Sequence, residues 1–183
     1  MSDGFDAALY FSYDGGHSWS EPLIVGTTTK ALSYEEPAVV ELGNGDLLVV
    51  ARHTNRLKAD SPEVYVNCGQ VVVRKIDGRW AVGPHAITSM GFRGHPALLR
   101  TSQGVLICAG SGDQYNFSID DGKTWSKTQY INDPVYNRHN HYPVLLETPD
   151  GRVMSIYHFG NDLPYPAPEP QWIHATTFRV EPL

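Results

Sequence analysis

Six residues of this chain combine polar or reactive side chains with a repeated setting. Glu36, His95 and Tyr142 each stand directly before a Pro that opens an apolar run. Arg52, Ser111 and His158 each close a second apolar run, which follows after a glycine-containing turn. Two short apolar runs around such a turn read as a β-hairpin, which brings its last residue back to the end where its first began. A carboxylate, a guanidinium, a phenol, imidazoles and a hydroxyl are therefore expected at one end of three like hairpins. The frames repeat while the side chains differ, as expected of a site grafted onto a repeated scaffold. A guanidinium offers a planar fork for a carboxylate. Plainer roles fit the same residues: a structural salt bridge for Glu36 with Arg52, a solvated strand end for Arg52, an amphipathic rim position for Tyr142.

The three hairpins align without gaps. The first reads Glu36-Pro37-Ala38-Val39-Val40-Glu41-Leu42-Gly43-Asn44-Gly45-Asp46-Leu47-Leu48-Val49-Val50-Ala51-Arg52. The second opens His95-Pro96-Ala97-Leu98-Leu99 and the third Tyr142-Pro143-Val144-Leu145-Leu146. Pro holds the second position of each, and Gly45, Gly104 and Gly151 hold the tenth. The runs are almost continuously apolar, which predicts strands buried on both faces.

A second motif, S-x-D-x-G-x-x-W, occurs at Ser12-Tyr13-Asp14-Gly15-Gly16-His17-Ser18-Trp19 and at Ser118-Ile119-Asp120-Asp121-Gly122-Lys123-Thr124-Trp125. A shortened form, Asp77-Gly78-Arg79-Trp80, lies between them. In a tight turn the Asp accepts backbone N–H bonds, the Gly takes positive φ, and the Trp is expected to pack on the sheet. Hairpin, Asp turn, hairpin is four strands per unit of roughly 40–50 residues, the size of a β-propeller blade. No stretch keeps a helical period.

The S-x-D-x-G-x-x-W turns, together with the E-P-x-V-V-E-L…R segment, resemble the Asp-box (BNR repeat) proteins of the sialidase-like family, which form six-bladed propellers. Gly94-His95-Pro96, His141-Tyr142-Pro143 and the closing Ile173-His174-Ala175-Thr176-Thr177-Phe178-Arg179-Val180 look like the last blades of such proteins. The expected fold is all-β, about three blades of a six-bladed ring. Residues 1–28 are expected to end one blade, 34–88 and 93–131 to form two full blades, and 139–180 to form most of the last. The front half of such a ring, with its first carboxylate-binding Arg and its acid/base Asp, has no counterpart here. A missing front-half segment, or a second copy of the chain as a homodimer, would complete the ring.

The resemblance implies a retaining exo-glycosidase acting on an acidic terminal sugar. By motif position Tyr142 maps to the nucleophile, Glu36 to its base and Arg52 to a substrate-binding residue. A phenol, with its pKa near 10, needs such a base. Arg93, His95, Arg138, His141 and His158 are further substrate-binding candidates near the same rim. Where the family carries another Arg, this chain reads Ser111-Gly112-Asp113-Gln114-Tyr115-Asn116-Phe117. The other function open to the same residues is binding of a glycan or a protein without catalysis. His139 and His141 stand two apart, a spacing that puts both on one face of a regular strand; a polar sugar-binding rim is expected there rather than a metal site.

Composition narrows the alternatives. The chain has 183 residues, a net charge of −6 and 41% hydrophobic residues, the balance of a globular domain. With 20 acidic against 14 basic residues there is no basic surplus for a nucleic-acid partner. Its longest apolar runs, such as Leu47-Leu48-Val49-Val50-Ala51, fall far short of the roughly 20 residues of a membrane span. Met1-Ser2-Asp3-Gly4-Phe5 lacks the features of a signal peptide, which leaves localisation open. Cys68 and Cys108 sit in apolar runs and are expected as free buried thiols. No Cys/His spacing suggests zinc, and neither metal nor cofactor is expected.

Overall fold

The structure is a computed structural model describing residues 6–28, 33–55, 64–90, 94–111, 114–131, 140–159 and 172–181. Among these residues there are strands and turns and no helix. The first sheet pairs β1 (Ala7–Leu9) with β2 (Leu23–Gly26). The second holds β3 (Glu35–Glu41), β4 (Leu47–Asn55), β5 (Val64–Ile76) and β6 (Arg79–Val82) in that order, with β7 (Ala86–Ile87) paired to β5. The third runs β8 (Ala97–Arg100), β9 (Leu106–Gly110), β10 (Gln114–Ser118) and β11 (Gln129–Tyr130). The fourth runs β12 (Asn140–Glu147), β13 (Val153–Phe159) and β14 (Trp172–Phe178). All pairings are antiparallel, and apart from β7 strand order follows chain order. Separate antiparallel sheets of up to four chain-ordered strands, following one another along the chain, are the pattern of β-propeller blades.

The three repeated hairpins close in the same way. Leu42 N donates to Asp46 O, Thr101 N to Val105 O and Thr148 N to Arg152 O, at 2.8, 2.9 and 2.8 Å. The glycine at the tenth position takes φ of 84°, 85° and 74° at Gly45, Gly104 and Gly151, a region open to glycine at little cost.

Side-chain alternation sorts each second strand between two cores. In β4, Val49 packs toward the first sheet with Val71, Val73 and Val25, while Leu48 and Val50 meet Leu106, Cys108 and Met90 on the other side. In β9, Ile107 and Ala109 face the fourth sheet with Tyr115 and Val153. The first strands differ from the expectation of burial on both faces. Val39 is 48% exposed, and Val144 and Leu146 are 58% and 37% exposed. Apolar sequence makes burial possible, but a face is buried only where another sheet covers it. Ile24 and Ile173, on the outermost sheets, are exposed for the same reason.

The S-x-D-x-G-x-x-W turns share one bonding scheme. Asp14 Oδ1 accepts from Ser18 N at 2.9 Å, and Asp120 Oδ1 from Thr124 N at 2.9 Å. Each Asp also accepts the hydroxyl of that residue at 2.6 Å. Ser12 and Ser118 Oγ accept from Gly16 N and Gly122 N at 2.7 and 2.9 Å. The Ser18 hydroxyl and amide, with Ser12, hold the Asp14 carboxyl at a pKa of about 2. For Asp120, desolvation pushes upward, but bonds from Thr124 and Ser118 outweigh it and hold the carboxyl low. Trp125 packs on the second sheet, donating to Gln70 Oε1 at 2.9 Å, while Gln70 Nε2 donates to Gly122 O at 2.8 Å. Trp19 departs from the expected packing: it is 63% exposed, because among the described residues no sheet lies on its far side.

Candidate active site at one end of the sheets

The backbone at the hairpin heads is unusual. Glu36, His95 and Tyr142 have φ of 50°, 46° and 54°, a left-handed conformation at the same repeat position in three successive sheets. For a residue with a Cβ this costs about 1–2 kcal/mol. The strand register slips at two of these heads, between Glu35 and Ala38 and between His141 and Val144. Such bulges bend a strand and re-aim a side chain.

Here the re-aimed side chains meet. Glu36 reaches the next sheet, where its Oε2 accepts from His95 N at 2.8 Å and its Oε1 lies 2.9 Å from His95 Nδ1. A carboxylate facing Nδ1 calls for a proton on that nitrogen. The His95 ring packs against the Tyr142 ring, with centroids 3.6 Å apart. Arg52, at the end of the same hairpin as Glu36, places Nε 3.2 Å from Glu36 Oε2 and pairs through Nη2 with Glu35 Oε2. Gly94 closes the group: a Cβ there would stand 3.4 Å from Ser111 Oγ and 3.7 Å from both Arg52 Nη1 and Glu36 Oε2.

Four of the residues singled out from sequence, Glu36, Arg52, His95 and Tyr142, therefore form one contact chain. Tyr142 touches His95, and His95 touches Glu36. Tyr142 is 65% exposed at the open end of that chain, while the His95 and Arg52 side chains are 15% and 19% exposed. His158 lies on β13 directly across from His141, at the same end of the fourth sheet. Arg93 and Arg138 fall outside the described residues, as does the side chain of His141. Among the described residues no three His, Cys, Asp or Glu side chains converge as metal ligands.

The Asp turns lie at the other end. In the third sheet Ser111 follows β9 at the His95 end, and Ser118, which opens the Asp120 turn, pairs with Leu106 at the opposite end of β9. A cleft of about 510 Å³ between the first two sheets, lined by Phe11, Val39, Leu47 and Trp80, also includes Glu41 and Gly45 of the far turn. It is not part of the rim cluster.

Sequence reasoning missed Glu35. Strict strand alternation sends neighbours to opposite faces, and the bulge at Glu36 lifts that restriction. The adjacent pair Glu35-Glu36 before Pro37 is the signal that was available.

No family model matches the sequence, and no curated protein matches it. Solved structures do resemble it. A protein of unknown function from Dyadobacter fermentans shares 23% identity over 94% of this chain and 48% of its own, with a TM-score of 0.65. The GH93 α-L-arabinofuranosidase of Fusarium graminearum, solved with arabinobiose, shares 17% over 88% of this chain and 47% of its own, with a TM-score of 0.63. NanB sialidase from Streptococcus pneumoniae shares 13% over 85% of this chain and 43% of its own, with a TM-score of 0.60. The chain spans about half the length of these structures. At such identities the likeness shows the fold: a β-propeller of the kind found in glycoside hydrolases.

Proposed function

We propose that the Glu36–His95–Tyr142 rim belongs to a retaining, sialidase-like exo-glycosidase site, with Tyr142 as nucleophile and Glu36 as the carboxylate that draws its proton. The observation that supports this best is the convergence of three repeat-equivalent, left-handed residues with unlike side chains. Strained non-glycine backbone persists where surrounding structure enforces it, and it clusters at functional sites. In this reading Tyr142 Oη attacks the anomeric carbon as the bond to the departing alcohol breaks, and water later releases the sugar from the tyrosine. No acid for the departing alcohol is assigned among the described residues.

A glycosyl fluoride tests this directly, because fluoride leaves with little help from an acid. A 2-fluoro sugar fluoride should leave a covalent adduct that peptide mass spectrometry maps to Tyr142, and Tyr142→Phe should leave none. Turnover undiminished in Tyr142→Phe would refute the assignment. One observation favours the second reading, glycan binding without catalysis: both Glu36 oxygens are already occupied, by His95 and Arg52. There the exposed Tyr142 ring, backed by His95, serves as a platform for a sugar ring. Binding would then survive Tyr142→Phe, fail in Tyr142→Ala, and leave no adduct.

A further inference from the structure

Taking the carbohydrate reading of this rim as its basis, we infer that the sugar it accepts is neutral, and that Glu35 is the residue that sets this preference. A guanidinium at a sugar-binding rim is the natural receptor for a sugar carboxylate, because its two N–H groups match the two oxygens. Among the described residues Arg52 is the guanidinium of this cluster, and the protein has already engaged it. Its Nη2 pairs with Glu35 and its Nε faces Glu36 Oε2 at 3.2 Å. Its Nη1 lies over Gly94, where a Cβ would stand only 3.7 Å away. The side chain is 19% exposed.

A sugar carboxylate would have to displace Glu35 from the fork and then lie beside two carboxylates that share one guanidinium. Like charges so placed repel, and more strongly where water is partly excluded. Sugar hydroxyls face no such barrier. They donate and accept hydrogen bonds without charge, and the exposed Tyr142 phenol, with its ring against His95, offers a partner that can do both. Glu36 meets Nε, and Glu35 meets the Nη2 side. Removing the Glu35 charge should therefore re-create a carboxylate receptor at Arg52.

The test compares four probes by NMR titration of the Tyr142 and His95 side-chain resonances: methyl α-L-arabinofuranoside and methyl β-D-xylopyranoside as neutral sugars, methyl glucuronide and the methyl glycoside of N-acetylneuraminic acid as acidic ones. The wild-type protein should bind a neutral sugar at least about tenfold more tightly than either acidic one, a difference of about 1.4 kcal/mol. In Glu35→Gln the ratio of acidic to neutral affinity should rise by about tenfold or more. Wild-type protein that prefers an acidic sugar, or a ratio unmoved in a folded Glu35→Gln, overturns the assignment to Glu35 while leaving the carbohydrate reading intact. Resonances that no sugar shifts overturn the carbohydrate reading itself, and this preference with it. The wild-type comparison decides the neutral preference even where Glu35→Gln does not fold.

Discussion

His53 should make the stability of this protein fall sharply between neutral and mildly acidic pH. Its side chain is 0% exposed, and among the described residues neither ring nitrogen has a hydrogen-bond partner. The Tyr34 ring meets it edge-on at 4.6 Å, the His85 ring lies 6.0 Å away, and the Gly69 backbone presses against it from the neighbouring strand. Burial first, then the neighbouring His85 charge, lowers its pKa from 6.5 to about 4. The unfolded chain thus takes up this proton at a higher pH than the folded one. The contribution is fully present above about pH 6.5 and is lost as pH falls toward 4. At about 1.36 kcal/mol per pKa unit, the total loss is roughly 3 kcal/mol. Asp14, Asp120 and Asp150, whose carboxyls are held low, lose their contribution only below their ordinary value of 3.8, so the two windows separate. Urea titrations followed by tryptophan fluorescence, at about pH 7 and about pH 4.5, should show a drop of roughly 2–3 kcal/mol. In His53→Leu, which keeps an apolar filling without a titrating group, that drop should disappear. A wild-type midpoint that stays flat across this range, or an equal slope in His53→Leu, would refute the burial argument.

Three further outcomes follow from particular contacts. Gly69→Ala would place a Cβ 2.0 Å from His53 Cε1; stability measured in urea should fall by about 2–3 kcal/mol, as for an overpacked core. Asp120→Ala removes the acceptor for the Thr124 amide and hydroxyl, so it should cost about 1–2 kcal/mol without shifting the Tyr142 or His95 resonances at the far end. A shift of the Tyr142 or His95 resonances in folded Asp120→Ala would contradict the placement of the turns. Burial pushes the Cys68 thiol to about 12 and raises the Cys108 thiol as well; both should resist iodoacetamide at about pH 8 in the native state and react fully in guanidinium. Labelling of either thiol in native protein would show that the interface between the second and third sheets opens.

The hairpins were legible because local chemistry decides them. Pro at the head and Gly at the turn restrict the backbone whatever surrounds them, and the same turn bonds recur in all three repeats. Burial was less legible, because it depends on what stacks against a face. The same apolar alternation is buried in β4 and half-open in β3 and β12, and Trp125 finds a sheet where Trp19 does not. At the rim, Glu36, Arg52, His95 and Tyr142 could be picked out as polar residues at repeated positions. Glu35 could not, since a bulge rather than strand alternation brings it to Arg52. His53 gave no sign of its burial: its position is set by Gly69 on the paired strand β5, a relation visible only once β4 and β5 are in register.

The repeated left-handed backbone at the three heads bears on how such a site is built. If these positions served only to turn the chain into its first strand, glycine would do so at little conformational cost. The protein instead places Glu, His and Tyr there, each ahead of a Pro, and keeps glycine at Gly94, itself left-handed at φ of 59°, just before His95. About 1–2 kcal/mol per residue is thus held at three points. Part of it is offset by the bonds from Glu36 to the His95 amide and imidazole, which tie one head to the next. Those bonds run between sheets rather than within one, so the aim of each head depends on the packing of its neighbour. A change that loosens the interface between the second and third sheets would then disturb the rim before it unfolds the chain. The geometry of the rim is a property of the stacked sheets, while its chemistry is a property of the three side chains they carry.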